Sequence, residues 1–350
     1  MLGERKAAEC CVALLLLASA AGQVSSPAPC PNAIPQKSAK LTVKQKLVTA
    51  LFAAVEDDDL RAVKRLLAQH ADANARDLHC STPLMFAVVS DDTRVAEALL
   101  GAGADVNAQD VAGWSALLTA ADAANAVQLK LLLAHGANPN LADQNGWTPL
   151  MAAVLGGSAE AVTALLSAGA DATPADRNGS TALIFAAAEG RVPALGALLE
   201  AITHDASSAD LVEVQDRDGW RALHHAASRG NAPAVAMLLA AHAAADPLTR
   251  SGATPLMLAV QNGDLDTITA LAERSHDINR QNPGGETALY LAAAAGQIDA
   301  AKLLLAKGAD PNLARRDGRT PLAAATASGD QEVAEILKAA AAKPVEPPPH

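Results

Sequence analysis

The chain predicts an all-α repeat solenoid, built of helix-turn-helix units joined by β-hairpin-like loops. Three observations carry that expectation. A helix-start slot recurs as Thr82, Ser115, Thr148 and Thr181, each 33 residues after the last, and resumes as Arg221, Thr254, Thr287 and Thr320 at the same interval. A fixed period in this range marks stacked supersecondary units. Each period holds two short apolar runs parted by a breaker, as in Leu150 to Val154, Gly157, then Val162 to Leu166. Finally, the 350 residues are 50% hydrophobic but only 2% aromatic, so the core must be mostly Ala and Leu. That suits closely stacked helices, each unit burying its apolar face only against its neighbours.

Each part of the unit has a local cause. Thr or Ser before Pro or Ala starts the first helix, because the hydroxyl caps free N–H groups and Pro loses nothing at the first helical position. Gly157 ends that helix and Ser158 caps the second, with Glu160 in its first turn where the helix dipole favours an acid. Asp266, Asp299 and Glu332 fill the same role later. Val162, Leu165 and Leu166 form one buried stripe at helical spacing. Gly169 stops the helix in a left-handed conformation, as Gly103, Gly136 and Gly308 do in their copies. Asp143-Gln-Asn-Gly146 then turns the chain toward the next unit. Counting back 33 from Thr82 reaches Thr49, which makes nine copies, with one irregular step of 40 between Thr181 and Arg221.

Four copies read Thr-Pro-Leu: Thr82-Pro-Leu-Met-Phe-Ala87, Thr148-Pro-Leu-Met-Ala-Ala153, Thr254-Pro-Leu-Met-Leu-Ala259 and Thr320-Pro-Leu-Ala-Ala-Ala325. Gly103-Ala-Asp-Val-Asn107, Gly136-Ala-Asn-Pro-Asn140 and Gly308-Ala-Asp-Pro-Asn312 repeat beside them. On these motifs residues 43–340 resemble the ankyrin repeat family, with the first and last copies as caps.

Outside the repeats, Arg5 and Lys6 precede an apolar run from Cys10 to Ala20 that ends in Ala18-Ser-Ala20. Residues 1–22 therefore read as a secretory signal peptide, too short for an ordinary transmembrane helix. Residues 23–42 read as a linker and residues 341–350 as a disordered Pro-rich tail. Cys30 and Cys80 would survive cleavage, as a disulfide or as two unpaired thiols. The run Asp57-Asp-Asp59 lacks the alternating ligands of a calcium loop and reads as a solvated helix junction. The irregular step places seven extra residues within 202–211 as a surface-loop insertion.

Chemistry is sparse. No phosphate loop, dinucleotide fingerprint, His-Glu-x-x-His or nucleophile elbow occurs, so no cofactor, metal site or small-molecule substrate is expected. His70 and His242 sit in the helix-end Gly slot. His224 takes the family's structural His position, and the adjacent His225 points to another face. A net charge of −11 argues against a nucleic-acid partner, and no Lys/Arg cluster is visible along the chain.

Trp114, Trp147 and Trp220, the only three Trp, share one slot directly before the helix start. The resemblance implies that this slot faces a concave binding groove, together with the hairpin positions Gln144, Arg177 and Arg217 and the first-helix ends Leu155, Glu189, Arg229 and Asn262. The resulting expectation is a non-catalytic, exported, periplasmic or secreted scaffold that binds a protein on its concave face. An accessory or chaperone-like factor for an exported enzyme is the alternative, as is an enzyme using the 202–211 insertion and His204.

Overall fold

The computed structural model describes residues 42–204 and 209–342. The segments expected as a signal peptide, as a linker (all but Thr42) and as a tail (from residue 343 onward) lie outside the described residues. Among the described residues there are eighteen α-helices, two per repeat, and a 3-10 helix at Ala209–Glu213. The hairpins pair through isolated bridges, Gln109 with Ser115 and Ala175 with Thr181, and form no extended strand. The chain divides after Asp171 into two compact units, the first carrying repeats one to four and the second repeats five to nine. Within each unit, first helices pack on first helices and second helices on second helices.

The capping expectation holds at most starts. The hydroxyl of Thr148 accepts from the N–H of Met151, and those of Ser115, Thr181 and Thr254 accept three residues on in the same way. Thr82 differs: its buried hydroxyl has no partner, and the sulfur of Met85 accepts its backbone N–H instead. Repeat one also differs. Its first helix runs Val43–Glu56 and starts at Thr42, whose side chain forms a capping box with Gln45. Thr49 therefore lies inside a helix and bonds back to Gln45. Among the described residues before Thr49 no hairpin and no Pro interrupt the helix. Asp59 caps the second helix through the N–H of Ala62, as a junction residue should.

Second helices end in the left-handed region, with φ of 84° at Gly103, Gly136 and Gly169 and 90° at Gly308. His70 and His242 adopt the same conformation at 63° and 64°. A row of side chains then links each repeat to the next. In the first unit Asn74, Asn107 and Asn140 each accept from a backbone N–H 31 residues on, at 2.6, 2.8 and 2.7 Å. Each also donates to the carbonyl of the Gly that ends the next second helix. In the second unit Glu213 takes the place of Asn and accepts from the N–H of Ala244 at 2.7 Å. Asp246 accepts from His276, and Asn279 restores the original pattern with Asp310 and Gly308.

The seven-residue insertion is not a plain surface loop. The second helix of repeat five runs on as Val192–His204, thirteen residues where most repeats have nine, and buries Ile202. The 3-10 helix then buries Val212 and delivers Glu213 to the slot of the missing Asn. The extra chain is absorbed by added helix because Leu198, Leu199 and Ile202 extend the buried stripe at helical spacing. The side chain of His204 lies outside the described part.

Cys80 is disulfide-bonded, so the alternative of two unpaired thiols does not hold. It is the only Cys among the described residues. It occupies the hairpin slot that is Gly in the later repeats, at a left-handed φ of 64°.

Candidate functional site

Each Trp is positioned by the turn that precedes it. The hairpin Asp accepts the Trp backbone N–H on one carboxylate oxygen and donates its own N–H to the Trp carbonyl. The pairs are Asp110 with Trp114, Asp143 with Trp147 and Asp216 with Trp220, all at 2.8–2.9 Å. Two hydrogen bonds and a left-handed Gly between them hold the backbone of the slot. In Asp110, burial pushes the carboxyl above its usual range while the donated N–H groups pull it down.

The rings themselves are half-buried. At Trp220 the cause is visible. Its ring lies over His225, with centroids 5.0 Å apart at 50°, and 6.2 Å from His224. His225 Nε2 is 2.9 Å from the free oxygen of Asp216. The two His thus diverge as expected. His224 is fully buried; its Nδ1 accepts from the N–H of Arg221, and its Nε2 donates to the carbonyl of Pro247. Burial lowers its pKa to about 4.

The hairpin and helix-end positions divide. Gln144 donates from its side chain to the carbonyl of Val111 at 2.7 Å, and Asn262 donates to that of Ser228 at 3.2 Å. Both join consecutive repeats, so their amides are engaged within the fold. Arg177, Glu189, Arg217 and Arg229 are exposed, and Leu155 is half-buried. Leu155 and Asp122 occupy the same slot, seven residues after their helix starts. Asp122 was not singled out from the sequence, although the repeat register places it there. It has no ion-pair partner among the described residues, and burial raises its carboxyl above the usual range. The C-terminal end of a helix disfavours a negative charge further.

Among the described residues no three His, Cys, Asp or Glu side chains lie together as a metal site, and no helix is long and apolar enough to cross a membrane. The first unit presents the rings of Trp114 and Trp147 and the carboxylate of Asp122, and the second presents the ring of Trp220 and exposed arginines; either set suits recognition of another surface. A family model described as ankyrin repeats (3 copies) matches residues 10–110, 84–176, 117–210, 199–282 and 271–346. No curated protein matches the chain.

Proposed function

The chain belongs to the ankyrin repeat family, whose repeats generally mediate protein–protein interaction, and from that premise we propose that it is a non-catalytic scaffold exported from the cytoplasm, binding a partner polypeptide on the face lined by its hairpins and first helices. The observation that carries the reading is the coincidence of Trp114, Trp147 and Trp220 in one slot, each clamped by its hairpin Asp. Large rings on a preformed backbone lose little conformational freedom on binding, so they contribute strongly to an interface. The disulfide at Cys80 supports export, since such bonds persist in oxidising compartments.

The test is affinity capture with the full chain beside a Trp114→Ala/Trp147→Ala/Trp220→Ala variant. A partner retained by the first and lost by the second is the expected result. For that partner Trp147→Ala alone should weaken binding by about 2 kcal/mol or more while leaving thermal unfolding almost unchanged. A large loss of stability with normal binding would make Trp147 a structural ring and remove the face from the proposal.

A further inference from the structure

Four residues before each helix start lies the tip of a hairpin. In the second unit that slot holds Arg177, Arg217, Arg250, Pro283 and Arg316, and all four arginines are exposed. Adjacent tips are joined by backbone hydrogen bonds: Arg217 donates its N–H to Asn178 at 2.8 Å, Arg250 to Asp218 at 3.1 Å and Arg316 to Gly284 at 3.1 Å. The arginines therefore stand on consecutive turns of one edge, interrupted only at Pro283. Arg217, Arg250 and Arg316 form no ion pair among the described residues. In a chain of net charge −11, a row of exposed arginines in one repeat slot, with Arg217, Arg250 and Arg316 outside any ion pair among the described residues, is not background composition.

We propose that this edge docks an acidic polypeptide segment lying along the hairpin tips. Each tip lies three residues before the slot that Trp220 takes in its hairpin, and the proposal rests on the arginines alone. Guanidinium groups bind carboxylates through two parallel hydrogen bonds, a geometry that lysine cannot offer. Packed helices lie about 8–10 Å apart, so the tips of stacked repeats should share that spacing. An extended chain advances about 10 Å in three residues, so an acid at every third position meets successive arginines. The exposed Asp218 lies on the tip between Arg217 and Arg250, and Asp317 beside Arg316 already faces Arg315 and Arg319. A densely charged polyanion would set phosphates or sulfates against Asp218, whereas spaced carboxylates pass it.

The probe is a fluorescein-labelled peptide repeating Glu-Ser-Gly, titrated with the full chain by fluorescence anisotropy at low and at physiological ionic strength. Arg217→Glu/Arg250→Glu/Arg316→Glu should weaken binding by about tenfold or more, with unfolding temperature unchanged. Lys44→Glu/Lys46→Glu/Lys64→Glu, the same change in net charge on exposed residues of repeat one, should change it far less. Trp114→Ala/Trp147→Ala should leave it intact, which separates this edge from the Trp face. The proposal is overturned if the wild-type chain does not bind the peptide, if both charge variants lose it equally, or if heparin or phosphatidylserine vesicles are bound in preference.

Discussion

The two units share a backbone plan and differ in what they mount on it. The first links its repeats with Asn74, Asn107 and Asn140, amides that accept and donate at once. The second uses the carboxylates Glu213 and Asp246 at two equivalent places and Asn279 at another. A carboxylate can only accept, so its second oxygen finds another donor: Arg221 for Glu213, the hydroxyl of Ser275 for Asp246. The hairpin tips diverge further, with Leu78, Val111 and Gln144 in the first unit against the arginines of the second. Where a slot accepts a backbone N–H from the next repeat, its side chain varies only among acceptors; the tip slot holds apolar, amide and guanidinium side chains alike.

The largest expected effect tests whether the units are energetically distinct. Leu129 in the first unit and Leu238 in the second are both fully buried. Either Leu→Ala change should cost about 2–5 kcal/mol. With Trp220 as the sole Trp of the second unit and Trp114 with Trp147 reporting the first, urea unfolding of Leu238→Ala should move the Trp220 midpoint further. Equal shifts at both reporters would show one cooperative assembly and erase the comparison.

A pH titration sharpens it. The second unit buries His224, whereas His70, His79 and His135 of the first are exposed. The folded pKa of about 4 lies below the ordinary value of 6.5 because burial disfavours the cation. Protonating Nδ1 would also set a proton against the N–H of Arg221. The unfolded chain thus takes the proton first, so this stabilisation is complete above pH 6.5 and is lost as pH falls toward 4. Between pH 7 and pH 5 the second unit should lose about 2 kcal/mol through this group. Equal pH slopes at the two reporters would rule out His224 as the source.

The smallest effect contrasts two glycines in one slot. Gly113 has φ 87°, and an added Cβ would lie 2.8 Å from the N of Gln144 and 2.9 Å from the Cα of Asp143 in the following hairpin. Gly318 has φ 82° with nothing within 4 Å. Gly318→Ala should cost about 1 kcal/mol from the left-handed backbone alone, and Gly113→Ala measurably more. Identical losses in thermal unfolding would mean that the hairpins separate freely.

The helical repeat was legible because caps, stops and apolar stripes are local and recur at one period. The helix start at Thr42 and the lengthened helix of repeat five were not, because neither obeys that period. The Trp slot could be read from register alone, but the half-burial of the rings could not. It depends on the neighbour each ring meets, as Trp220 meets His225.

The sequence by itself determined the repeat, its helices and its turns, since these depend on residues a few positions apart. Only the tertiary structure decided which distant side chains share a surface. Arg177, Arg217, Arg250 and Arg316 lie 33 to 66 residues apart along the chain and form no cluster there. Stacking converts sequence period into spatial adjacency, and charges that read as scattered become neighbours on one edge.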